Sequence, residues 1–134
     1  MRSLDTNVLA RFFVDDADDA QAVKQRPAAV AALSERAYVS VTVLLELEWV
    51  LRSRYAIDKP TVLTTFTALL ETQELELQFE AALERALHLY RQGAAEFADC
   101  LHAGLSEAAA QSPLLTFHSR AARLDGVHLI GRLD

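Results

Sequence analysis

Short apolar runs alternate along the chain with longer stretches whose apolar residues recur at helical spacing, a pattern that predicts strands separated by helices. A first strand ends at Leu4 and runs into Asp5-Thr6-Asn7, where Asn7 is a suitable N-cap for a helix over residues 8–13. Residues 15–36 start acidic and continue rich in Ala, as the helix dipole and helix propensity favour. Pro27 lies inside that stretch, so either the helix kinks there or two helices meet with Pro27 in the first turn of the second. Residues 37–41 predict a second strand. Thr42 can then cap an apolar helix over residues 43–55 that ends with Arg52 and Arg54. Asp58-Lys59-Pro60-Thr61 opens a helix over residues 58–72, and residues 75–79 alternate as a minor strand or an extended connector. An amphipathic helix follows over residues 80–92 through Leu83, Leu87 and Tyr90, with Gly93 as its stop. The next helix covers residues 95–111 and is broken by Pro113. Residues 114–117 and 127–130 predict the last strands, with a helical turn over residues 119–124 between them. Strands separated by helices imply an α/β fold with a mostly parallel sheet covered on both faces.

Composition narrows this further. A chain of 134 residues, 51% hydrophobic with four Gly and three Pro, is expected to form one domain over residues 1–134 without disordered linkers. Charge interrupts every apolar run well before the roughly 20 residues that span a bilayer. No basic start followed by an apolar signal core is present, so the protein is expected in the cytoplasm and away from membranes. The single cysteine, Cys100, cannot form an internal disulfide or a cysteine zinc cluster, and its place in the apolar half of a helical pattern makes it core. A net charge of −6 disfavours wrapping of nucleic acid by global electrostatics. It does not exclude a local site in which acids hold a cation that attracts phosphate.

Three acids suggest such a site. Asp5 ends the first strand, Glu46 sits one turn into the helix after the second, and Asp99 one turn into the helix beginning near residue 95. Ligands in parallel α/β sheets bind outside the carboxyl ends of the strands, where such residues are expected to converge. Two carboxylates about 4 Å apart repel by roughly 4 kcal/mol at an effective dielectric near 20, so three together need a proton or a metal. Oxygen ligands favour Mg²⁺ or Mn²⁺ over zinc. Plainer roles compete: Asp5 ending a strand and capping a turn, Glu46 paired with an arginine, and Glu96 favoured at a helix start by the dipole. Glu48, about 200° around the helix from Glu46, is expected to meet solvent or Arg52. Glu96, Asp99 and His102 follow at a spacing of three and share a helix face.

Leu4-Asp5-Thr6-Asn7-Val8-Leu9 resembles the opening motif of PIN-domain ribonucleases. Leu45-Glu46-Leu47-Glu48-Trp49-Val50-Leu51-Arg52-Ser53-Arg54-Tyr55 is similar to the second motif of the VapC-type toxins of bacterial toxin–antitoxin pairs. Ala94-Ala95-Glu96-Phe97-Ala98-Asp99 is similar to the third acidic motif. Leu115-Thr116-Phe117 and Leu124-Asp125-Gly126-Val127 are similar to the closing strands. The resemblance covers essentially the whole chain in order. It implies a PIN-like three-layer sandwich with a central, mostly parallel sheet of four to five strands flanked by helices. It also implies a metal-dependent endoribonuclease in which Asp5, Glu46 and Asp99 hold Mg²⁺ or Mn²⁺. Thr6, Asn7, Glu96, Thr116 and His118 are accessory candidates, Thr6 or Thr116 to orient the attacking water. Arg52, Arg54, Arg120 and Arg123 are candidates for phosphate contact.

One departure stands out. His118 occupies the position after Thr116-Phe117 where the family usually has a further acid. Fewer carboxylates favour one ion over two. His118 is then a ligand favouring Mn²⁺, a phosphate contact or general acid, or the mark of a weakened or inactive PIN-fold binding protein, which is the alternative reading. An aspartyl-phosphate phosphatase is disfavoured because its second acid, two residues after the first, is here Asn7. The resemblance further implies an RNA substrate, with transfer RNA a reasonable expectation, a homodimer, and a cognate antitoxin. Phe12, Phe13, Leu44, Leu45 and Trp49 are read as a groove for an amphipathic antitoxin segment whose arginine would reach the acids, or equally as ordinary core.

Overall fold

The computed structural model describes residues 1–131. Its chain divides into two compact units, Met1–Gln78 and the residues from Phe79 onward. In the first unit, β1 (Arg2–Ser3), β2 (Ala37–Val39) and β3 (Leu75–Leu77) form a parallel sheet in the order β1-β2-β3. Arg2 is paired with Ala37, and Val39 with Leu77. Four helices accompany it: α1 (Thr6–Phe13), α2 (Ala20–Leu33), α3 (Val41–Ser53) and α4 (Lys59–Leu70). The alternating segment after α4 is thus a strand, with Leu75 and Leu77 buried and Glu76 exposed between them.

Core formation in this unit follows the apolar spacing. Leu44, Leu47 and Leu51 recur at three and four along α3 and are fully buried with Leu9, Val39, Val62, Phe66 and Leu69. Each such side chain contributes roughly 1.5–3 kcal/mol of transfer free energy. Leu44 therefore belongs to the core and cannot line an open groove. Trp49 on the same helix is 56% exposed. Phe12 and Phe13 are partly exposed and meet edge to face, with ring centroids 4.9 Å apart.

Three local expectations are corrected. Asp5, not Asn7, is the N-cap of α1: its φ of −82° and ψ of 163° are extended, and its side chain accepts the Thr6 N–H. Ser40, not Thr42, caps α3, its hydroxyl accepting from Val43 N, while Thr42 exchanges a hydroxyl contact with it at 3.0 Å. The helix expected over residues 15–36 starts only at Ala20, where Asp19 accepts from the Gln21 and Ala22 N–H groups. Pro27 lies inside α2, which continues as one helix. Its missing N–H would have met the carbonyl of Val23, on an exposed stretch where water can serve that oxygen. Asp58 caps α4 as expected, accepting from Thr61 N at 3.0 Å.

The second unit holds α5 (Glu80–Gln92), α6 (Phe97–Ala108), β4 (Leu114–Thr116), a 3-10 turn at Ala121–Arg123 and β5 (Val127–Leu129). The strands β4 and β5 pair in parallel, Leu114 with Val127 and Thr116 with Leu129. Helices α5 and α6 pack through small residues: a Cβ added to Gly104 would lie 2.5 Å from the Ala82 carbonyl oxygen. Leu83, Leu87, Tyr90, Phe97 and Leu101 are buried around that contact, and Cys100 is fully buried as core. Gly93 ends α5, but in an extended conformation rather than the left-handed one its residue type suggested. Among the described residues no helix is long and apolar enough to cross a membrane.

Candidate active site

The parallel pairing of β1 and β2 sets the site in the first unit. The Leu4 N–H reaches the Tyr38 carbonyl at 2.9 Å, so both strands deliver their chains to the same rim, where α1 starts after Asp5 and α3 after Ser40. Asp5 is exposed, and its Oδ1 accepts the Thr6 N–H at 2.8 Å. Thr6 is buried, and its hydroxyl donates to Oε1 of Glu46, which lies in the second turn of α3 and is itself exposed. One threonine therefore ties together two acids 41 positions apart in sequence. The contact from the first residue of α1 to a side chain of α3 is long-range, so no local pattern announces it.

Glu48 behaves differently from its neighbour Glu46. It is 2% exposed, so the solvent alternative is excluded, and its carboxylate accepts from the Arg52 Nε and, at 3.1 Å, from Arg52 Nη2. That ion pair compensates a buried charge, which would otherwise be strongly unfavourable. Arg52 is thereby fastened to α3. Arg54, the residue that follows α3, is exposed, and its guanidinium has no hydrogen bond or ion pair among the described residues.

In the second unit, Asp99 occupies the first turn of α6, and its Oδ2 lies 3.2 Å from Nδ1 of His118. An ionised carboxylate only accepts, so this contact is a hydrogen bond in the tautomer that carries the imidazole proton on Nδ1. The His118 backbone N–H in turn donates to the Thr116 hydroxyl at 3.0 Å, which fixes the turn after β4 and leaves the Thr116 hydroxyl proton available. Glu96 stands at the N-cap position of α6, exposed and without a capping hydrogen bond. Asn7 is exposed in the first turn of α1, and His102 is exposed on α6. Because α6 follows α5 rather than a strand, the rule that helices after parallel strands start at the carboxyl rim applies to Asp5 and Glu46 but not to Asp99.

Each unit offers carboxylate oxygens of the kind that a hard divalent cation takes. Asp5 Oδ1, Glu46 Oε1 and Asp99 Oδ2 each accept one hydrogen bond, while the second oxygen of each carboxylate has no partner among the described residues. Mg²⁺ and Mn²⁺ take such oxygens and keep several waters, so few protein ligands are needed. Among the described residues, neither unit by itself gathers three or more His, Cys, Asp or Glu side chains able to hold a metal ion.

The PIN domain family matches residues 3–127, a span that runs through both units and includes all three acids. The chain belongs to the PIN domain family. PIN domains are generally nucleases that act on RNA and typically use divalent metal ions, and the α/β arrangement with parallel strands agrees with this membership. No curated protein matches the chain.

Proposed function

We propose that this PIN-domain protein is a metal-dependent endoribonuclease, acting in the cytoplasm as the toxin of a toxin–antitoxin pair, with Asp5, Glu46 and Asp99 as its metal-holding carboxylates. The observation that carries the reading is the double use of Thr6, whose N–H and hydroxyl orient Asp5 and Glu46. Burial of Thr6 keeps that arrangement rigid, and exposure of both acids leaves their free oxygens open to a cation and its waters. A divalent ion, when bound, would make water a better nucleophile and stabilise charge on an RNA phosphodiester under attack. The chain's own groups would hold and orient: Thr6 sets two carboxylates, His118 turns Asp99, and the Thr116 hydroxyl can donate to a water or phosphate oxygen. Arg54, Arg120 and Arg123 are exposed cations for the RNA backbone, whereas Arg52 must divide its guanidinium between Glu48 and any phosphate.

The toxin role rests on the likeness of the second motif to VapC-type proteins. It is supported by Trp49, a large apolar side chain presented to solvent on the helix that carries Glu46. An antitoxin segment could cover Trp49, Leu45 and the Phe12–Phe13 pair, and an arginine from it would neutralise the acids. A homodimer is the assembly we expect, and a structured single-stranded loop, as in transfer RNA, is the substrate class we expect. The reading of a weakened or inactive binding protein is not favoured, because all three acids keep an unengaged oxygen despite His118. Incubating antitoxin-free protein with total RNA in Mg²⁺, Mn²⁺ or chelator, and mapping new ends, tests the proposal. New ends confined to the metal-containing reactions support it, and their absence in every condition removes it.

A further inference from the structure

The second unit contains a cavity of about 550 Å³ whose lining includes Arg85, His88, Gln92, Arg120, Arg123 and Asp125. That volume lies in the range of sites that hold a nucleotide-sized ligand. Three guanidiniums face one carboxylate in this lining, a local reversal of sign in a chain of net charge −6. They are not equivalent. Arg85 is held on both sides, its Nε to Glu107 Oε2 at 2.9 Å and its Nη2 to Asp125 Oδ2 at 3.3 Å, so its charge is answered and it acts as a fixed wall. Arg120 precedes the 3-10 turn and Arg123 ends it; both are exposed, and neither guanidinium has a hydrogen bond or ion pair among the described residues. His88 and the amide of Gln92 add further polar groups from α5.

Planar guanidiniums without a protein partner suit the oxygens of a phosphate, which they can engage in pairs of parallel hydrogen bonds. From this we infer that the cavity is a second RNA-binding subsite, in which Arg120 and Arg123 hold a backbone phosphate other than the one being cut. The location supports this. Arg120 comes two residues after His118, whose ring contacts Asp99, and the segment before α6 contributes Ala95 to the cavity wall. A phosphate seated there is fixed with respect to the acid at the start of α6, so the subsite would set which linkage along the strand is presented. The inference deepens the ribonuclease reading and rests on it. It also separates the four candidate arginines, placing Arg120 and Arg123 in one pocket and leaving Arg52 to its ion pair.

The test measures binding without cleavage. Anisotropy of a labelled single-stranded RNA is followed in chelator across a salt series for the wild type, Arg120→Gln/Arg123→Gln, Arg120→Lys/Arg123→Lys, and a control, Lys24→Gln/Arg36→Gln, that removes the same charge elsewhere. The Gln pair is expected to bind more weakly and to lower the salt slope by about 0.7, the loss of one phosphate contact on a single strand. The Lys pair should restore the slope, and the control should match the wild type. Competition with inorganic phosphate and with a mononucleotide distinguishes sources: a pocket that takes free phosphate while RNA slopes coincide is not an RNA subsite. If the wild type binds and cleaves RNA and the Gln pair shows the wild-type slope, the inference fails and the nuclease reading stands. If the wild type neither binds nor cleaves, both fail.

Discussion

The Thr6 hydroxyl donates to the Glu46 carboxylate while the Thr6 N–H donates to Asp5, so one buried residue orients two acids. Such supporting groups typically carry 10–100-fold in metal affinity or activity. Thr6→Val keeps the shape and the N–H but loses the hydroxyl. It should lower cleavage by about 10–100-fold, and Thr6→Ser should restore most of it. Initial rates across a Mg²⁺ titration read this, since a purely structural role for Thr6 would change the melting temperature without raising the Mg²⁺ requirement.

His118→Asp replaces the imidazole donor on Asp99 with a second carboxylate. Two acids at that separation repel unless a cation lies between them. The variant should melt lower than wild type in chelator and regain more stability on adding Mg²⁺, since a ligand bound only by the folded state stabilises it. Its Mg²⁺-dependent cleavage should rise. A melting temperature no more sensitive to Mg²⁺ than that of the wild type would show that position 118 lies outside any metal site.

Much of this architecture was legible because local chemistry and tertiary packing agree. The apolar spacing of Leu83, Leu87 and Tyr90 predicted α5 with its observed ends, and Asp58 ahead of Lys59-Pro60 marked the start of α4. Caps are ambiguous in sequence where two competent residues stand close together. Asp5 and Asn7, or Ser40 and Thr42, are equally able to accept an N–H, and the choice is made by where the parallel strands release the chain. The acidic run before Ala20 looked helical because acids favour a helix start, yet Asp19 uses its side chain to begin the helix there. The strand-end and helix-start positions of Asp5 and Glu46 can be read from the sequence, whereas Asp99 stands on a helix that follows another helix. The partners, Thr6 for Glu46 and His118 for Asp99, cannot be read from it, because each hydrogen bond joins distant segments.

Packing of α5 on α6 gives a stability prediction independent of function. Gly104→Ala would put a methyl 2.5 Å from the Ala82 carbonyl oxygen, which is backbone and cannot swing away. A cost of about 1–3 kcal/mol is expected for such overpacking. Gly93→Ala, whose new methyl would meet nothing closer than 3.9 Å, serves as the tolerated control. Urea denaturation should show a lower midpoint for the first variant only, and equal midpoints would mean the helices part freely at this crossing.

Asp58 links stability to acid. Its pKa is lowered from the ordinary 3.8, first by the Thr61 side chain and then by the Thr61 backbone N–H. A group with a depressed folded-state pKa adds stability above the unfolded value, and loses it as the pH falls through the folded one. The difference in stability between wild type and Asp58→Asn, which keeps an accepting oxygen for the cap, should therefore shrink as the pH drops below 3.8. Denaturation midpoints measured from pH 5 downward check this, and a constant difference would rule out the linkage.

The proposed phosphodiester hydrolysis requires that carboxylate oxygens hold a divalent ion. Its most direct test is cleavage of a defined single-stranded RNA by wild type, Asp5→Asn and Glu46→Gln, in Mg²⁺, in Mn²⁺ and in chelator, with folding of each variant confirmed. Wild type should cut in metal and not in chelator, and each variant should lose on the order of 10²-fold or more, at least what an outer supporting group would cost. Cutting that persists in chelator, or variants as fast as wild type in Mg²⁺, would contradict the central claim.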